Sequence, residues 1–95
     1  MFIVTSEYLK PLEIVDSFIK AHRDFLDIYF KKGMFIVSGG QIPRTGGVII
    51  AKSNSKIEIE NIMNEDPFIQ NGIAKYSFLE FKPIKIAEGC EKIFQ

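Results

Sequence analysis

The chain has 95 residues, of which 46% are hydrophobic and 13% aromatic, so we expect one folded domain over residues 1–95. Twelve basic residues balance twelve acidic ones, and this balance argues against a nucleic-acid partner. A single cysteine, Cys90, excludes an intramolecular disulfide bond.

The first residues carry no pattern of export or membrane insertion. Residues 2–6 form a short apolar run directly after Met1, without the basic start and long apolar stretch of a signal peptide. No apolar run in the chain approaches the length of a membrane span. We therefore expect no membrane partner and a cytoplasmic location.

A strand and a long helix are predicted in the first third of the chain. Residues 2–6 form the strand, and Pro11 suits the first turn of the helix because its missing N–H group is not needed there. Two lysines and Gly33 favour the end of the helix. The apolar residues between follow the three-and-four spacing of a buried stripe: Ile14, Val15, Phe18, Ile19, Phe25, Leu26 and Tyr29.

The rest of the chain predicts a hairpin, a second helix and a fourth strand. The hairpin joins residues 34–38 to residues 47–51 through a connection rich in glycine. Ser55 and Glu58 match a capping box, in which two side chains satisfy free N–H groups at a helix start. Residues 74–81 form the last strand. The order βαββαβ with an antiparallel sheet is the ferredoxin-like plan of an α+β protein.

Both faces of the predicted sheet carry apolar residues. Residues 35–37 and 48–50 are continuous apolar runs, whereas an antiparallel sheet with one wet face alternates. Two helices cover one face and leave roughly several hundred Å² of apolar surface on the other. We expect a homodimer through the sheet faces, a dimeric α+β barrel with C2 symmetry, to cover this surface. The tail of residues 84–94 is the alternative, either folded back or paired with a partner's sheet edge.

His22 is the first candidate for a functional site. It is the only histidine, and it lies on the helix stripe that faces the sheet, four residues after Phe18 and three before Phe25. An imidazole can accept or donate a proton when a carboxylate or carbonyl fixes its tautomer. A core histidine bonded to a carbonyl or hydroxyl is an equally good interpretation of the sequence.

Asp66 and Ser38 are the second and third candidates. The Asp66 carboxylate, in a turn after the second helix, is of a kind that can orient or activate an imidazole, although capping of a single turn before Pro67 also explains it. Ser38 stands at a strand end, where its hydroxyl can reach His22 or a ligand, although turn chemistry is usual beside glycines. These three residues do not predict a hydrolytic triad, because the chain has no Gly-x-Ser-x-Gly elbow.

The remaining polar features are weaker. Arg44 lies between two glycine pairs, but this loop lacks the spacing of a phosphate-binding motif and is more typical of a flexible hairpin tip than of an anion site. One histidine and one cysteine are too few for a metal cage, so no metal and no other cofactor are predicted. Cys90 lacks the cationic surroundings that activate a thiolate.

Several short motifs occur in order along the chain: His22-Arg23-Asp24-Phe25-Leu26, Gly33, Ser38-Gly39, Gly46-Gly47, Asp66-Pro67-Phe68, Tyr76 and Glu80-Phe81. Together they resemble the YciI-like (YCII-related) family over nearly the whole chain. The resemblance implies a ferredoxin-like dimer with a pocket at the dimeric sheet. It also implies an acid/base role for His22, which matches the family histidine, and for Asp66 in the Asp-Pro-Phe motif. The family often has Ser-Gly-Pro where this chain has Ser38-Gly39-Gly40, so we expect a different pocket rim.

The sequence leaves two functions open. In the first, the chain is a cofactor-independent enzyme in which His22 is the general acid or base and Asp66 or Ser38 orients it. Its substrate would be a small molecule, such as a cyclic or aromatic compound, that reacts by proton abstraction, elimination or isomerisation. In the second, the chain is a non-catalytic dimeric module that binds a small ligand or belongs to a larger assembly. The second function stays open because the sequence offers few residues that could act in catalysis.

Overall fold

This computed structural model describes residues 1–94, which form a four-stranded antiparallel sheet with helices on one face. The strands are β1 (Phe2–Tyr8), β2 (Phe35–Gly40), β3 (Gly47–Ala51) and β4 (Ala74–Glu80). They lie in the order β2-β3-β1-β4, and every neighbouring pair is antiparallel. This arrangement confirms the predicted ferredoxin-like α+β plan.

The helices within residues 1–94 are α1 (Leu12–Ser17), α2 (Ile19–Lys31), α3 (Lys56–Met63), α4 (Pro67–Gln70) and a short 3-10 helix at Glu91–Phe94. The longest of them, α2, has 13 residues. Across the described part of the chain, none of these helices combines the length and the apolar character that a membrane crossing requires.

The prediction of one long first helix was wrong, because the helix is interrupted at Phe18. Phe18 has φ −106° and ψ 1°, and its N–H group donates to the carbonyl of Val15 rather than to the carbonyl four residues back. The Ser17 hydroxyl donates to the Ile14 carbonyl at 2.6 Å, a local bond that competes with helical pairing. The end of α2 agrees with the prediction, since Gly33 follows with φ 76°.

The start of α3 is capped largely as the sequence predicts. The Ser55 hydroxyl accepts a hydrogen bond from the Glu58 N–H group at 3.1 Å. The Glu58 carboxylate accepts from the Asn54 N–H group at 3.1 Å and from the Ser53 hydroxyl at 2.5 Å. The predicted capping box has the Glu58 carboxylate bonded to Ser55, but here the carboxylate bonds to the two residues before Ser55 instead.

The main core lies between the sheet and the helices. Strands β1 and β3 contribute alternate residues to it, and α2 and α3 contribute their apolar faces. A smaller cluster of Val15, Phe68, Ile73 and Ala74 joins α1 and α4 to the start of β4. The buried residues of the main core are Phe2, Val4, Phe25, Leu26, Tyr29, Phe35, Ile49, Ala51, Ile59, Ile62 and Met63.

The opposite face of the sheet is open in the single chain. Ile3 and Ile50, which lie opposite each other in the β1–β3 register, are half-buried on this face. Val37 and Leu79 are 54% and 61% exposed, so the tail does not cover the face within one chain. Ile84, in the tail, is itself 86% exposed. The expectation that both faces are buried is thus not met by one copy, and the homodimer stays a prediction.

Candidate active site

Asp66 is a fully buried carboxylate at the start of α4. It caps this helix by accepting a hydrogen bond from the Phe68 N–H group at 2.9 Å, as the sequence predicts for an Asp-Pro turn. The same carboxylate accepts a hydrogen bond from the Tyr76 hydroxyl, and its oxygens lie 2.9 and 3.0 Å from Nδ1 of His22. Three donors therefore satisfy a charge that would be costly to bury alone.

His22 is held between Asp66 and Phe68. Its ring stacks on Phe68, with the two planes 1° apart and the centroids separated by 4.0 Å. Because Asp66 is the acceptor, we assign the hydrogen to Nδ1, which leaves the lone pair of the neutral ring on Nε2. Nε2 has no hydrogen-bond partner among residues 1–94, where every buried side-chain nitrogen and oxygen has one. Nε2 is therefore accessible from outside the protein.

Tyr76 is the functional candidate that sequence reasoning missed. It lies on β4 opposite Ser6 of β1, on the face of the sheet that meets the helices. Burial, reinforced by the Asp66 charge, raises the pKa of Tyr76 well above the ordinary value for tyrosine, so the hydroxyl remains a donor to Asp66. From the sequence, Tyr76 had no role beyond its place among the family motifs. Its alternation with Ala74 and Phe78 was the signal that it faces the helices.

A cavity of ≈ 530 Å³ lies beside His22, and this volume is typical of small-molecule sites. Ser38 borders the cavity from β2, but its hydroxyl makes no hydrogen bond within the described residues. The structure thus brings His22 and Asp66 into contact and places Ser38 on the same cavity without a bond to either. Among residues 1–94, no three His, Cys, Asp or Glu side chains are grouped to hold a metal ion.

The loop of residues 41–46, between β2 and β3, brings Arg44 to this cavity and is tied to β1. The Gln41 amide donates to the Ser6 carbonyl at 2.9 Å, and the Gly47 N–H group donates to the Ser6 hydroxyl oxygen at 2.7 Å. Ser6 is itself buried. These bonds give the loop more order than the flexible tip that its glycines indicate.

Gly46 allows the loop to lie directly against β1. A Cβ atom at this position would be 1.7 Å from the Ser6 carbonyl oxygen, so Gly46→Ala must push the loop away from the strand. We expect this change to lower the free energy of unfolding by about 1–3 kcal/mol, measured by chemical denaturation. Gly40→Ala is the matched control, because nothing lies within 4 Å of a Cβ there. Equal losses in the two variants would contradict the proposed close contact.

The sheet order, the helix-covered face and the cavity between them define a small α+β protein of the ferredoxin-like type. More particularly, the chain belongs to the YCII-related family, because the model of the YCII-related domain matches residues 1–82. The tail from residue 83 lies outside this match. No curated protein matches the chain.

A solved structure with a similar fold is the 5-chloro-2-hydroxyhydroquinone dehydrochlorinase TftG from Burkholderia phenoliruptrix AC1100, in complex with 2,5-dihydroxybenzoquinone. The two chains are 20% identical, and the TM-score is 0.71. The similarity covers 86% of this chain and 94% of that one. At this level of identity the comparison establishes the shared fold.

Proposed function

We propose that this protein is a cytoplasmic, cofactor-independent enzyme in which His22 is the general acid and base for a small cyclic or aromatic molecule. This proposal is carried by His22, which lines a cavity and has an accessible Nε2, while its Nδ1 is fixed by buried Asp66. A carboxylate in this position keeps the imidazole in one tautomer and stabilises the imidazolium that forms when Nε2 takes a proton.

Proton transfer at carbon is the chemistry that this arrangement supports. Nε2 accepts the proton of a substrate C–H bond, and the electron pair of that bond forms a C=C bond. In an elimination, the bond between the adjacent carbon and a leaving group breaks, and the leaving group takes the electron pair of that bond into solution. In an isomerisation, the double bond shifts and His22 returns the proton to a different carbon.

Asp66 and Ser38 have different parts in this proposal. Asp66 is completely buried, so it acts as a positioning residue that works through His22 and does not touch the substrate. Ser38 is exposed on the cavity, where its hydroxyl is available to bond a substrate oxygen.

Elimination is the first reaction to test, because TftG, which has a similar fold, is a dehydrochlorinase whose structure holds 2,5-dihydroxybenzoquinone. The protein is incubated with a panel of halogenated hydroquinones, and halide release is followed. In these compounds His22 first moves a hydroxyl proton to the halogen-bearing carbon, and it then takes the proton of the second hydroxyl group while the C–halogen bond breaks and the halide leaves with the electron pair of that bond. Parallel incubations in D2O, read by NMR, detect proton abstraction from compounds that have no leaving group. Halide release or deuterium exchange that depends on His22 supports the enzyme. A compound that raises the melting temperature but is neither converted nor exchanged supports the non-catalytic binding module instead.

The proposed enzyme is a homodimer through the open face of the sheet. Val37 and Leu79 are large apolar side chains that remain more than half exposed on this face, next to half-buried Ile3 and Ile50. The face is self-complementary in chemistry, since apolar residues would meet apolar residues across a two-fold axis. A second copy therefore removes this apolar surface from water without a different partner.

Leu79→Lys tests the dimer directly. A lysine on the open face costs little in a single chain, because Leu79 is already 61% exposed. In the dimer it replaces a buried leucine with a charge in both copies, and we expect the dissociation constant to rise at least about tenfold. Sedimentation velocity over a concentration series measures this change. Ile57→Lys is the control, since Ile57 is 73% exposed on α3, on the helix side of the sheet. A wild-type protein that is monomeric throughout would contradict the dimer.

A further inference from the structure

The cavity beside His22 is lined by two arginines, Arg23 and Arg44. The Asp66 carboxylate contributes no exposed negative charge, because it is completely buried and bonded to three donors. Asp16 is the acidic residue on the cavity lining, and it forms an ion pair with Arg44. Arg23 forms no ion pair with any other residue in the described part of the chain. The charges on the lining therefore leave an excess of positive charge.

Arg44 and His22 lie at two ends of a continuous aromatic wall. The Arg44 guanidinium is 5.9 Å from the centroid of the Tyr8 ring. Tyr8 meets Phe68 edge to face at 6.1 Å, and Phe68 stacks on His22 at 4.0 Å. All four side chains border the same cavity. A planar ring that packs against these aromatic side chains lies in the cavity that both Arg44 and His22 border.

We propose that the substrate is a planar organic anion and that Arg44 binds its anionic group in exchange for Asp16. This inference rests on the proposed function for the reaction itself, but the anion site stands on the charges and the aromatic wall described above. A guanidinium binds a carboxylate or an acidic enolate through two parallel hydrogen bonds, which also fixes the orientation of a planar ligand.

The exchange at Arg44 is favoured by the surroundings of its ion pair. The Arg44 and Asp16 side chains are 42% and 55% exposed, and exposed ion pairs contribute little to stability. The loop that carries Arg44 is fixed by the bonds between Gln41, Gly47 and Ser6, so little order has to be gained when a ligand binds. The hydrogen bond from the Arg44 guanidinium lowers the pKa of Asp16, and this ionised carboxylate is the internal competitor of a bound anion.

Calorimetric titration with two pairs of probes tests the anion site. Benzoate is compared with neutral benzamide, and 2,5-dihydroxybenzoquinone, which is anionic at neutral pH, is compared with neutral hydroquinone. We expect the wild type to bind the anion of each pair more tightly, and added salt to weaken this preference. Arg44→Gln is expected to weaken anion binding about tenfold or more, without a change for the neutral probes. Asp16→Asn is expected to tighten anion binding by about two- to fivefold, because the competing charge is removed.

A second exposed ion pair provides matched controls. Lys20 and Asp24 lie 2.8 Å apart on α2, and neither borders the cavity. Lys20→Gln and Asp24→Asn make the same changes in net charge as the two test variants, and we expect neither to alter anion binding. Melting temperatures of all four variants establish that each is folded.

The outcomes separate the anion site from the proposed reaction. Equal binding of anions and neutral compounds by the wild type overturns the anion site, as does Arg44→Gln with unchanged anion binding. If anions bind through Arg44 but no compound is converted or exchanged in a way that depends on His22, the reaction fails and the anion site stands. Conversion that depends on His22 but is indifferent to Arg44 leaves the reaction in place and removes the anion site.

Discussion

Replacing His22 with asparagine is expected to lower turnover by about 10²–10⁴-fold while the protein remains folded. The asparagine amide can place an N–H group close to the position of Nδ1, so that Asp66 keeps a donor. No atom of the new side chain replaces Nε2, and the general base is therefore lost. The measurement is the rate of halide release, or of deuterium exchange, on the compound that the wild type converts best.

The control for this change is Lys20→Gln, on the same helix but away from the cavity. Its turnover is expected to equal that of the wild type. Thermal unfolding of His22→Asn establishes whether the helical layer is intact. A folded His22→Asn protein with turnover close to that of the wild type would remove His22 from the mechanism.

Asp66→Asn is expected to impair stability and turnover together. The amide nitrogen of asparagine donates where the carboxylate accepts, so at least one of the bonds from His22, Phe68 and Tyr76 is lost. Loss of a hydrogen bond to a charged group costs about 2 kcal/mol, which is about 8–16 °C in melting temperature for a domain of this size. Turnover falls about 10²-fold or more, because a donor at this position favours the tautomer whose lone pair is on Nδ1.

Tyr76→Phe separates the two effects of Asp66. This change removes one donor but retains the carboxylate, so His22 keeps its tautomer. We expect a stability loss of about 1 kcal/mol and a much smaller fall in turnover than in Asp66→Asn. If both variants lost stability and neither lost turnover, Asp66 would be a helix cap and no more. The pH dependence of turnover is an independent check, because Asp66→Asn should change its shape and Tyr76→Phe should not.

Local patterns were sufficient to predict the order of strands and helices. Ser55 stands three residues before Glu58, and the helix begins where this spacing predicts. Gly33, after two lysines, ends α2 in the left-handed conformation that glycine adopts easily. The break at Phe18 was missed because the apolar stripe continues through it, and hydrophobic periodicity does not register a single hydrogen bond from Ser17.

The candidate site depends on contacts between distant parts of the chain. His22 and Asp66 are 44 residues apart, so the two residues could be nominated from their chemistry but their contact could not be deduced from spacing. The Tyr76 hydroxyl bonds to Asp66, which is 10 residues earlier in the turn before α4, and the strand pattern around Tyr76 does not reveal this contact. Arg44 looked like part of a mobile tip because the bonds that fix its loop come from Ser6, on the first strand.

Alternate residues of strand β1 face opposite sides of the sheet. Val4 and Ser6 point toward the helices and the cavity side, whereas Ile3 and Thr5 point toward the open face. A substitution at an odd position of β1 therefore alters the open face, and with it the proposed dimer contact, without altering the cavity side. An insertion of one residue in β1 would exchange the two sets and damage both at once.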